Sequence, residues 1–134
     1  MEHKTSFDFL IVDDSEIDRM ISKTHIKFTV NDFGEIHEAE NGLQALAWIK
    51  SNFKDIKQRL VILLDISMPT MDGFEFLENY DKLDNGVKEK IKIIMLSSSV
   101  AQNDIQRANE NKYVEKLLTK PFPSDKVKGV LERL

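Results

Sequence analysis

The sequence predicts a doubly wound α/β domain: a parallel sheet of five strands with crossover helices on both faces. Two observations carry this. Short apolar runs alternate with longer segments of helical period from one end of the chain to the other. No linker, repeat or low-complexity stretch interrupts the alternation, and 134 residues with 41% hydrophobic content suffice for one continuous core. We therefore expect a single domain over residues 1–134.

The strands are predicted at Phe7 to Val12, Glu35 to Ala39, Leu60 to Asp65, Ile91 to Leu96 and Tyr113 to Leu118. The first, third and fourth are nearly all apolar, as strands covered on both faces must be, and are expected at the sheet centre. Between them Ile17, Met20, Ile21, Thr24 and Phe28 recur at helical spacing, then Leu43, Leu46, Ile49 and Phe53, then Phe74, Leu77 and Tyr80. Each set is expected to be one buried helix face. Val100, Ile105 and Ala108 mark a weaker fourth helix, and Val127, Val130, Leu131 and Leu134 a fifth. Ser15 followed by Asp18 suggests a capping box opening the first helix. Asn41-Gly42 and Met71-Asp72-Gly73 mark the turns into the second and third.

Composition excludes several classes. Without cysteine there is no disulfide or thiolate metal site, and His3, His25 and His37 lack ligand spacing. The apolar runs are far too short for a bilayer span, and residues Met1 to Ser6 lack the pattern of a signal peptide, so a cytoplasmic protein is expected. A net charge of −4 gives no general attraction to nucleic acid, although Lys112, Lys116, Lys120, Lys126 and Lys128 gather late in the chain.

In an open parallel sheet the loops after the strands converge on one crevice. Here those loops bring Asp13 and Asp14 after the first strand, Asp65 at the end of the third, Ser97 and Ser98 after the fourth, and Lys120 after the fifth. Three carboxylates so close repel one another unless a cation joins them, and an all-oxygen set favours a hard ion such as Mg2+. With Lys120 opposite, a phosphoryl group has two cationic centres to hold it while Asp65 attacks phosphorus in line.

These motifs, Asp13-Asp14, the run from Leu64 to Gly73, Ser97-Ser98 and Lys120-Pro121-Phe122, resemble the receiver domains of two-component response regulators, of the single-domain chemotaxis-regulator kind, over essentially the whole chain. The resemblance implies a flavodoxin-like sheet in the order 2-1-3-4-5 with five helices. It implies that Asp14, Asp65 and the backbone carbonyl of Ser67 bind Mg2+ directly, that Asp13 acts through metal-bound water, that Ser97 and Lys120 hold the phosphoryl oxygens, and that the peptide before Pro121 is cis. The partners implied are a histidine kinase or histidine phosphotransfer protein as phosphoryl donor, and a downstream protein. Such a protein is no conventional enzyme, since it catalyses only its own phosphorylation and slow dephosphorylation. The chain departs from the family at Leu117, three residues before Lys120, where an aromatic commonly reports phosphorylation; with Tyr113 near the strand's start, a switch through other packing is expected.

Each residue type also has a plainer reading. Asp13-Asp14 and Ser97 to Ser99 suit helix caps, Asp65 a solvated loop acid and Lys120 a surface lysine, while Trp48, His25 and His37 suit packing or surface. It is the conjunction that favours chemistry. An aspartate-nucleophile phosphohydrolase generally needs a second acid two residues on, where Ser67 stands, and paired acids argue against a flavin-phosphate loop. A phosphorylation-independent interaction module of the same fold is the alternative, but such a module has no need of the full set. The fourth helix, fifth strand and fifth helix, with Tyr113, Leu117, Lys112 and Lys116, are the expected partner surface. Ser67 and Ser99 flank the attack path and are expected to tune hydrolysis by controlling water access.

Overall fold

Val, Ile, Leu and Phe on both faces of the central runs leave those strands no stable place but the middle of a sheet. In a computed structural model, which describes residues 6–98 and 101–134, β1 (Phe7–Val12), β2 (Phe33–Ala39), β3 (Arg59–Asp65), β4 (Ile91–Ser97) and β5 (Val114–Thr119) form one sheet in the order β2-β1-β3-β4-β5, every pair parallel. β1, β3 and β4 are the inner strands, as expected. The helices are α1 (Glu16–Thr29), α2 (Gly42–Asn52), α3 (Gly73–Tyr80), α4 (Asn85–Lys88), α5 (Gln102–Glu110) and α6 (Ser124–Glu132), with a 3-10 turn at Phe53–Asp55. The expectations placed on His3, Ser99 and Val100 fall outside the described residues.

The pleat divides the core in two. Leu10, Val12, Leu60, Ile62, Leu64, Ile93 and Met95 point to one face, where Ala45, Leu46 and Ile49 of α2 and Phe74, Phe76, Leu77 and Tyr80 of α3 cover them. Phe9, Ile11, Val61, Leu63, Ile94 and Leu96 point to the other, beneath Ile26 of α1 and Val127, Val130 and Leu131 of α6. Each such side chain contributes about 1.5–3 kcal/mol on burial, so the strand ends that carry the polar residues stand on a buried core.

Four expectations are corrected. The apolar stripe of α1 is not its buried face: Ile17 is 70% exposed, Met20 61%, Phe28 85% and Ile21 36%. Arg19, Ser22 and Ile26, on the opposite side of the helix, are buried instead. Periodicity reveals a face without saying which way it turns, and here an interior role for Arg19 turns it. In α2, Leu43 is likewise exposed at 53%, and Ala45 completes the inner face. Among the described residues there are six helices rather than five. The extra one is the single turn α4, too short to show a period, which anchors through Val87. β5 starts one residue late because Asn111 Oδ1 takes the Tyr113 N–H at 2.9 Å.

The caps follow the sequence at two of three helices. Asn41 accepts from the Gln44 N–H, and Asp72 forms a full capping box with Glu75. At α1 Ser15 accepts from the Asp18 N–H at 3.1 Å, but the Ser15 N–H is taken by Asp13 Oδ1 at 3.0 Å, so the Asp18 carboxylate is left for another partner.

Candidate functional site

The strand order reverses direction between β2-β1 and β3-β4-β5, which opens a crevice at the carboxyl ends of β1 and β3. Val12 pairs with Leu64 and Asp65 with Leu96, so Asp13 and Asp65 leave neighbouring strands side by side. Lys120 is tied to the same edge by its backbone N–H, which donates to the Ser97 carbonyl at 2.8 Å, and the Lys120-Pro121 peptide is cis. Gly73 lets the β3–α3 loop fold back onto the strand end: its N–H donates to the Ile66 carbonyl at 2.8 Å, and a Cβ there would lie 2.5 Å from the Asp65 carbonyl oxygen.

The carboxylates of Asp13, Asp14 and Asp65 offer oxygens that all lie within 4.8 Å of one another. Asp13 and Asp65 are buried and Asp14 is exposed at the mouth. Lys120 reaches in from the opposite side, its Nζ 2.6 Å from Asp13 Oδ2, 2.9 Å from Asp18 Oδ2 and 3.5 Å from Asp65 Oδ2. Burial, then the negative charge of Asp13, push the Asp65 carboxyl up to about 6; Lys120 and the Ile66 N–H pull the other way without prevailing. Burial works against the Lys120 ammonium, but hydrogen bonds to Asp13 and Asp18 and the charge of Asp65 outweigh it and hold its pKa above the ordinary lysine value. The pocket therefore carries more negative charge than one lysine balances. Its all-oxygen donors, two of them buried, suit a hard divalent cation.

The predicted residues separate into two groups. Asp13, Asp14, Asp65 and Lys120 converge, and Ser97 is buried at the end of β4 with its carbonyl on Lys120. Ser67 and Ser98 lie on exposed loop positions beyond β3 and β4. His25 stacks on Phe122 and hydrogen-bonds Ser124 at 2.9 Å, and His37 packs against Trp48, both outside the crevice.

Sequence reasoning missed two residues. Arg19 donates from a guanidinium nitrogen to the Asp13 carbonyl at 2.7 Å and from Nε to Glu38 Oε1 at 3.0 Å, fixing the backbone that presents Asp13. Asp18 holds Lys120. The available signal was the polar side of α1, where Arg19 and Ser22 fall together; the apolar stripe opposite drew attention from it. Leu117 is partly buried against the core, while Tyr113 is pinned at the far end of β5, its hydroxyl donating to Asp81 and accepting from Lys88 Nζ at 3.2 Å. That hydrogen bond from Tyr113, with nearby Lys112 and Lys88, lowers the Asp81 pKa.

Comparison with known proteins agrees with this geometry. The response regulator receiver domain pattern matches residues 9–132. The chemotaxis protein CheY of Listeria monocytogenes is 33% identical over 124 residues, covering 92% of this chain and 94% of that protein. Among solved structures, a response regulator receiver protein from Dyadobacter fermentans superposes with a TM-score of 0.84 at 32% identity, covering 95% of this chain and 96% of the other. The CheX-CheY-BeF3-Mg2+ complex from Borrelia burgdorferi gives a TM-score of 0.73 at 27% identity, covering 95% and 87%. With an acidic crevice facing an invading lysine on a 2-1-3-4-5 sheet, and a family match over nearly its full length, the chain belongs to the response-regulator receiver family of two-component signalling.

Proposed function

We propose that this chain is a phosphoacceptor switch in which Asp65 takes a phosphoryl group from a phosphohistidine and passes the signal on by protein–protein contact. The observation that supports it best is the convergence of Asp13, Asp14, Asp65 and Lys120 on one crevice at the sheet's carboxyl edge. Asp65 Oδ attacks phosphorus as the bond from phosphorus to the donor imidazole nitrogen breaks. The product is a mixed anhydride on Asp65, and the imidazole leaves with the electron pair. With a pKa of about 6, Asp65 is mostly ionised above neutral pH and competent as the nucleophile. Mg2+, when held by Asp14, Asp65 and the Ser67 carbonyl, with Asp13 through water, would neutralise the carboxylates and the incoming phosphoryl oxygens. Lys120 would pair with a phosphoryl oxygen and Ser97 would hydrogen-bond another.

Two exposed surfaces suit two partners. The apolar stripe of α1 begins beside the crevice and runs from Ile17 to Phe28, a spacing that fits the helices of a histidine kinase or histidine phosphotransfer protein acting as donor. The face of α5, β5 and α6 bears exposed Lys112 and Lys116 and suits an acidic downstream protein; charge reversal at both lysines should weaken that partner alone. The test is intact mass after incubation with acetyl phosphate, with and without Mg2+, beside Asp65→Asn. A Mg2+-dependent gain of one phosphoryl group that the variant lacks is expected. No gain despite measurable Mg2+ binding would favour a phosphorylation-independent interaction module.

A further inference from the structure

We infer that Asp18 is a positioning residue that holds Lys120 in a resting place and thereby restrains phosphoryl uptake at Asp65. This inference rests on the phosphoacceptor reading. Three carboxylates share the Lys120 ammonium, and they do not share it equally: Asp13 at 2.6 Å and Asp18 at 2.9 Å make hydrogen bonds, while Asp65, the reacting group, stands at 3.5 Å. Asp18 is not part of the pocket's floor. It sits in the first turn of α1, its side chain 36% exposed, and reaches Lys120 from the rim.

The local backbone explains why it is available. A residue at this position, three beyond the Ser15 cap, ordinarily turns its side chain back to the cap's N–H. Here Asp13 Oδ1 already accepts that N–H, so the Asp18 carboxylate points at Lys120 instead. The same carboxyl group of Asp13 that binds Lys120 through Oδ2 thus frees Asp18 through Oδ1.

The consequence is a competition. For Lys120 to pair with a phosphoryl oxygen on Asp65, the ammonium must move toward Asp65 and give up Asp18. An added carboxylate also repels an anionic phosphodonor entering from the rim. Both effects act before and during transfer; removing the charge abolishes the repulsion and weakens the hold on Lys120 to that of a neutral acceptor. A charge-assisted bond at a partly exposed site shifts such an equilibrium by up to about fivefold.

The experiment compares wild type, Asp18→Asn, Asp18→Glu and Asp65→Asn. Phosphoryl uptake from acetyl phosphate at saturating Mg2+ is followed by mass, and the Lys120 side-chain ammonium is followed by 15N NMR in metal-free protein. Asp18→Asn keeps the backbone N–H that Ser15 caps, so the helix start is preserved. We expect Asp18→Asn to take up phosphoryl about fivefold faster than wild type, with a displaced Lys120 signal, and Asp18→Glu to return both toward wild type. A rate equal to or below wild type, or an unmoved Lys120 signal, overturns the inference while leaving Asp65 as the acceptor. If wild type takes up no phosphoryl group, the phosphoacceptor reading fails and this inference falls with it.

Discussion

Replacing Asp65 by asparagine should stabilise the metal-free protein near neutral pH, although it removes the proposed acceptor. Asp65 is buried beside Asp13, and its carboxyl is held at about 6 against an ordinary value of 3.8. The folded state therefore keeps a proton that the unfolded chain releases, and stability is lost as pH rises from about 4 through about 6. A rise of that size corresponds to about 3 kcal/mol, an upper bound because the amide must also be desolvated. Lys120 is not orphaned by the change, since Asp13 and Asp18 are its nearer partners. In urea unfolding with a chelator present, we expect Asp65→Asn to gain about 1–3 kcal/mol over wild type near pH 7.5 and about nothing near pH 4. Added Mg2+ should narrow the difference by binding folded wild type more tightly. A variant less stable than wild type at the higher pH, or an offset that does not change with pH, would refute the electrostatic reasoning.

Lys120→Met leaves Asp13 and Asp65 adjacent, buried and without their cation, so urea unfolding near pH 7.5 should show a loss of about 3–5 kcal/mol. The loss should shrink as pH falls and a carboxylate takes up a proton. Gly73→Ala places a Cβ 2.5 Å from the Asp65 carbonyl oxygen, and the forced backbone shift should lower stability by about 1–3 kcal/mol, measurable as a drop in Tm. Met20→Asp and Phe28→Asp, on the exposed stripe of α1, should leave stability within about 0.5 kcal/mol and uptake from acetyl phosphate unchanged. Transfer from a phosphorylated histidine protein should slow by about tenfold or more.

The strands and the convergence of Asp13, Asp14, Asp65 and Lys120 were legible because each is written locally. An apolar run ending in an aspartate, as at Asp65, specifies both a central strand and what stands at its mouth, and the order of such runs places Asp13, Asp14, Ser97 and Lys120 together. The orientation of α1 was not legible. Its stripe from Ile17 to Phe28 has the spacing of a core face, but the tertiary bonds of Arg19 to the Asp13 carbonyl and Glu38, with Ile26 in the core, go with the other side of the helix facing inward. Asp18 was hidden for a related reason: Ser15 and Asp18 match a capping box, and the pattern cannot show that Asp13 has already taken the Ser15 N–H. The one-turn α4 has too few residues to carry a period.

The most direct measurement of the central claim is chemical trapping of the phosphorylated residue. The protein is treated with acetyl phosphate and Mg2+, reduced with borohydride, which converts an acyl phosphate to the alcohol, and sequenced by mass spectrometry. We expect homoserine at the position of Asp65 and nowhere else in the chain. Phosphoryl gain without reduction at Asp65, or reduction at Asp13 or Asp14 instead, would contradict the assignment of Asp65 as the acceptor.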